Sequence, residues 1–76
     1  MGNKADFLMA LAYNIRTQRQ SKGFTQDSFA KHIGIARRYY GDIEAGKINP
    51  SIINLVRISR GLDTNLSDLV PEIFFY

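Results

Sequence analysis

The apolar positions of this 76-residue chain recur at helical spacing, and a glycine or proline closes each run. Leu8, Leu11, Ala12 and Ile15 fall at i, i+3, i+4 and i+7, one stripe of a helix that reaches Lys22 and stops at Gly23. Lys22 suits the negative end of that helix's dipole. Phe24 follows as a hydrophobic anchor. Thr25 then caps a second helix, with Phe29, Ala30 and Ile33 facing inward and Gly34 as its end. Position 28 holds Ser and not Glu or Gln, so a single cap is predicted there without the reciprocal capping box. Ile35 leads into a third helix, 36–45, with Tyr40 and Ile43 on its apolar side and Gly46 as its stop. Lys47–Pro50 reads as a loop. Ser51 caps a fourth helix carrying Ile52, Leu55, Ile58 and Ser59 on one side, ended by Gly61. Thr64 or Asn65 starts a short fifth helix with Leu66 and Leu69, halted at Pro71. No strand alternation, internal repeat or low-complexity tract appears. The pattern predicts an all-α fold, a compact bundle of five short helices. It forms one domain over residues 1–76, with its core at about 8–70 and an apolar tail at 71–76.

The connection between the second and third helices changes the picture from a generic bundle to a particular geometry. Only Gly34 and Ile35 separate them. Two short helices joined that tightly, each with one apolar face, cannot run antiparallel along their length; they cross steeply, as in a helix-turn-helix. The outer face of helix three then projects Arg37, Arg38, Gly41 and Asp42. Adjacent arginines at the exposed start of such a helix suit a DNA major groove. An arginine fork matches guanine O6 and N7, and Asp42 can accept from cytosine N4 or orient a neighbouring arginine.

Charge, divided along the chain, agrees with a polyanionic partner. Residues 16–60 hold nine Lys and Arg against three acids, a net +6, while the flanks sum to −3. A basic middle between acidic ends points to nucleic acid. Composition removes other classes. The chain has no cysteine and one histidine, His32, so neither a disulfide framework nor a Cys/His zinc site is expected. No metal or other cofactor is expected. No nucleophile–base pair, paired carboxylate site or phosphate-cradling glycine loop is visible, so an enzyme is not expected. The longest apolar runs are too short to span a bilayer. Lys4 before an apolar stretch looks like the start of a signal peptide, but Asp6 interrupts it and no cleavage pattern follows. A cytoplasmic protein is expected.

Beyond these readings, the run Arg19-x3-Gly23-Phe24-Thr25-Gln26-x2-Phe29-Ala30-x2-Ile33-Gly34-Ile35 resembles the lambda-repressor/Cro-type helix-turn-helix family. So do Tyr40-x2-Ile43-Glu44-x-Gly46-x2-Asn49-Pro50-Ser51 and the Leu55-x2-Ile58-Ser59-x2-Leu62 helix that follows. The resemblance covers residues 11–70. Within the family the start of helix three and the Asn49-Pro50-Ser51 loop are similar to small restriction–modification controller proteins, and to small bacterial and phage repressors. It implies a sequence-specific regulator of transcription that binds double-stranded DNA and blocks or recruits RNA polymerase. By position, Arg37, Arg38 and Asp42 are its base-reading residues. Gln26 matches a phosphate ligand at the start of helix two; Thr25, Tyr39, Lys47, Asn49 and Ser51 flank that face and would position the duplex. Arg19 and Glu44 match a structural salt bridge between helix one and the end of helix three, which removes Glu44 from catalytic candidacy. An antitoxin-like repressor and a protein-interaction module are the alternatives that the same fold allows.

Three positions depart from the family's pattern. Ala36 stands where a Ser or Thr cap is usual, at a cost of about 1 kcal/mol. Gly41 lies inside the recognition helix, where it costs about 1 kcal/mol relative to alanine. Gln18 replaces a usual apolar residue. One surface is left unexplained by a monomer. Ile53 and Val56 lie off the core side of helix four, and the chain ends Ile73-Phe74-Phe75-Tyr76. Each such side chain left in water forgoes roughly 1.5–3 kcal/mol. A homodimer burying Ile53, Val56, Ile73, Phe74 and Phe75 would set two recognition helices about 34 Å apart and call for a pseudo-palindromic site. The other arrangement folds the tail over its own core.

Overall fold

The computed structural model describes residues 3–71; Ile73, Phe74 and Phe75, named above as interface residues, lie outside them. Four α-helices follow one another: α1 Lys4–Ser21, α2 Gln26–Ile33, α3 Arg37–Glu44 and α4 Ile52–Gly61. There are no strands among the described residues. The element expected as a fifth helix is a single 3₁₀ turn, Leu66–Asp68. Its cause is lack of length. Only five residues lie between Asn65 and Pro71, and a proline steers the residue before it out of helical geometry. Leu69 N–H accordingly reaches back three residues to Leu66 O at 3.0 Å, and Leu69 is fully buried.

The helix starts follow the side chains that satisfy their first amides. Asn3 Oδ1 accepts from Asp6 N–H at 2.9 Å and opens α1. At α2, Thr25 Oγ1 accepts from Ser28 N–H and Ser28 Oγ accepts from Thr25 N–H, both at 3.0 Å. A reciprocal box exists there after all, with a serine hydroxyl doing what the longer Glu or Gln usually does. Ser51 Oγ accepts from Asn54 N–H at 3.2 Å and opens α4. α3 begins at Ala36 with no side-chain cap.

The core gathers Leu11, Ile15, Phe29, Ala30, Tyr40, Ile43, Ile58, Leu62 and Leu69, contributed by all four helices and the final turn. α3 packs against both α1 and α2, and α4 packs against α2. Gly34, at φ +71°, turns the chain between α2 and α3, and Ile35 N–H closes the end of α2 on Ala30 O at 3.0 Å. One expectation for α4 needs correction. Ile52 does not face the core; it is 62% exposed, because burial along that side of α4 begins only past the first turn, with the half-buried Leu55, and is complete at Ile58. The helix does end at Gly61, as expected, though not because glycine turns the chain there. Gly61 is the last helical residue, and a Cβ there would collide with Ile33 and Phe29, so glycine permits close packing of α4 on α2. The left-handed residue that turns the chain away is Asp63, at φ +55°.

Candidate nucleic-acid interface

α3 is held by its buried side, which decides what its other side can present. Tyr40, Ile43 and Glu44 point inward and are nearly inaccessible. Glu44 anchors the helix through charge. Arg19 Nε donates to Glu44 Oε2 at 2.6 Å and Nη2 donates to Oε1 at 3.1 Å, a bidentate pair between α1 and α3. Arg19 Nη1 also donates to Phe24 O at 2.6 Å, so the guanidinium ties together α1, α3 and the turn before α2. The Tyr40 hydroxyl donates to Glu44 Oε2, and Gln26 Nε2 donates to Oε1 at 3.0 Å. Burial alone pushes the Glu44 carboxyl up. Hydrogen bonds from Arg19, Tyr40 and Gln26 outweigh it and hold that carboxyl below its ordinary value. Glu44 in turn raises the Arg19 guanidinium, and burial raises the Tyr40 phenol. The cluster is a charged pin through the middle of a small core.

The opposite side of α3 is open. Arg37 and Arg38 are exposed at its first turn, and Asp42, one turn on, is half-buried. Gln26 and Tyr39 are half-buried, while Thr25, Lys47, Asn49 and Ser51 are exposed. Some of these side chains already have partners. Thr25 and Ser51 cap helices, Tyr39 Oη accepts from Asn54 Nδ2 at 3.2 Å, and Gln26 is tied to Glu44. Two features escaped sequence reasoning. The Tyr40–Glu44 bond was legible in principle as an i, i+4 pair, but Tyr40 reads first as an apolar residue. The Gln26–Glu44 bond spans eighteen positions, and no local signal announces it. A third feature concerns Arg37: its Nε lies 4.0 Å from Asp27 Oδ1 on α2. Arg37 also lines, with Asp27, Ala30, Lys31 and Ile35, a shallow hollow beside the α2–α3 turn.

The sequence profile of the helix-turn-helix family matches residues 15–69, the stretch that carries this arrangement. The chain belongs to the helix-turn-helix family. Within it, the chain is similar to Control protein C.MunI of a Mycoplasma species, at 41% identity over 58 residues, covering 76% of this chain and 78% of that one. It is similar to Control protein C.SmaI of Serratia marcescens at 28% identity, covering 88% of this chain and 80% of that one. Among solved structures, the restriction-modification controller protein C.AhdI from Aeromonas hydrophila superposes with a TM-score of 0.79 at 31% identity, covering 82% of this chain and 94% of that one. The helix-turn-helix is therefore α2, the Gly34–Ile35 turn and α3. Among the described residues no helix is long and apolar enough to cross a membrane, and no group of three or more His, Cys, Asp or Glu could hold a metal ion.

Proposed function

We propose that this chain is a sequence-specific, double-stranded-DNA-binding transcription regulator that acts as a homodimer on a pseudo-palindromic operator. The similarity to control proteins favours a restriction–modification setting. The observation that carries the reading is the two-sidedness of α3. Its inner side is fixed by Tyr40, Ile43 and the Arg19–Glu44 pair, while its first turn offers Arg37 and Arg38 to solvent. A rigidly held helix with exposed arginines at its start is suited to enter a major groove. Arg37, Arg38 and Asp42 form its groove-side set; Thr25, Gln26, Tyr39, Lys47, Asn49 and Ser51 line the surface that meets the phosphates. Occupancy near a promoter then blocks or recruits RNA polymerase according to where the operator lies.

The test is selection of duplexes from a random pool, followed by titration of the selected site at rising salt. Two half-sites about one DNA turn apart are expected, with affinity falling steeply as counterions are released. Arg38→Ala should relax preference at one base pair per half-site, worth about 1–3 kcal/mol. Recovery of no preferred duplex, or affinity indifferent to salt, would sink the reading and leave a protein-interaction module in its place.

A further inference from the structure

Gly41 sits in the middle of α3, where its backbone is ordinary right-handed helix, so no turn requires glycine there. What the position lacks is a side chain, and its neighbours show what uses the gap. A Cβ on residue 41 would lie 2.7 Å from Arg37 Nη1 and 3.8 Å from Gln26 Oε1. Arg37 therefore lies forward along its own helix, one turn on, over a bare stretch of backbone. Its Nε faces Asp27 on α2, 4.0 Å away, and its side chain remains 51% exposed. Among the described residues Arg38 forms no ion pair. The two adjacent arginines are thus not equivalent. Arg37 leans toward Asp27 in the first turn of α2, while Arg38 stays exposed on α3.

We infer that Gly41 is a positioning residue that seats Arg37 against the first turn of α2, making Arg37 a backbone-phosphate contact alongside Gln26 and leaving base readout to Arg38. The inference rests on the proposed DNA-binding function and divides the roles of its two arginines. Phosphate contacts weaken all sequences alike when removed, whereas base contacts carry preference at one position. Asp27 contributes by drawing the guanidinium toward α2 without burying it.

The experiment is a double-substitution cycle on the full chain, using a selected duplex and single-base variants of it. Gly41→Ala should raise the melting midpoint by roughly 4–8 °C, because alanine favours helix and only the flexible end of Arg37 must move. The same substitution should weaken binding several-fold for every duplex, and should have no effect when Arg37→Ala is already present. Arg37→Ala alone should weaken all duplexes by a similar factor and reduce the salt slope by about one per protomer. Three results would overturn the inference. One is an undiminished Gly41→Ala effect in the Arg37→Ala background, which would mean that DNA approaches the bare backbone itself. The second is loss of preference at a single base pair on Arg37→Ala, which would make Arg37 a reader. The third is unchanged DNA binding by Gly41→Ala. A native chain that selects no duplex would instead remove the DNA-binding function, and this inference with it, so the two failures are distinguishable.

Discussion

Glu44 is a carboxylate removed from water and surrounded by three donor side chains, Arg19, Tyr40 and Gln26. Its worth is conditional on charge. The folded protein holds it below its ordinary value of 4.5 despite burial, so the unfolded chain binds its proton more readily than the folded one. The stabilisation is therefore complete above that ordinary value and is lost as pH falls through the lower folded value. Glu44→Gln should cost about 3–5 kcal/mol at pH 7, because it leaves the Arg19 guanidinium buried without its counter-charge. It should also flatten the acid limb: urea unfolding followed from pH 7 to pH 3 should show the native protein approaching the variant's stability. Parallel curves would mean that other carboxylates carry the acid response. At this scale the sequence was only partly legible. The Arg19–Glu44 pairing came from family resemblance, since no spacing rule relates residues twenty-five apart. That Gln26 is tied into the same cluster depends on how α2 crosses α3, which single-residue patterns do not encode.

The elements differ in how firmly their ends are closed. α2 has a reciprocal Thr25–Ser28 box, whereas α3, which carries the exposed arginines, begins at Ala36 with no side-chain acceptor. Thr25→Ala should therefore cost about 1 kcal/mol, and Ala36→Ser should return about 0.5–1 kcal/mol, both read from denaturant midpoints at unchanged slope. If the serine gave no gain, the extended backbone at residue 36 would not be oriented to aim a hydroxyl at the first amides of α3. Long apolar stripes made the helices easy to read. Leu8, Leu11, Ala12 and Ile15 are all buried, and the boundaries at Gly23, Gly34 and Gly46 coincide with positive φ. Errors arose where a short segment was asked to behave as a long one. The five residues before Pro71 cannot close more than a 3₁₀ turn. Ile52 belongs by period to the stripe of Leu55 and Ile58, yet burial on that side begins only past the first turn. Period describes a side of a helix; it does not say how far along that side the neighbour extends.

At the scale of the whole molecule, the start of α4 presents an uncovered apolar surface. Ile52 and Ile53 are 62% and 68% exposed, adjacent, and followed by the half-buried Val56. In a small helical domain such a pair is a costly surface to leave in water. If α4 meets its own copy across a two-fold axis, as in the proposed homodimer, each isoleucine is buried twice per assembly. At roughly 1.5–3 kcal/mol per side chain, Ile53 then contributes about 3–6 kcal/mol to the dimer. Ile53→Asp should raise the dimer dissociation constant a hundredfold or more, since each 1.4 kcal/mol is a factor of about ten and two carboxylates would also face each other. Because Ile53 touches little of its own core, the variant's helical content and melting point at protomer-only concentrations should stay close to native. Sedimentation across a concentration series reads the first effect. Titration of a full operator against a single half-site reads its consequence: the variant should lose the native preference for the two-site duplex while keeping the weak half-site affinity supplied by α3. A variant that remains dimeric and still prefers the full operator would place the two-fold contact elsewhere on the molecule. A variant that loses half-site binding as well would show that Ile53 supports the recognition helix from within the protomer, contrary to its exposure.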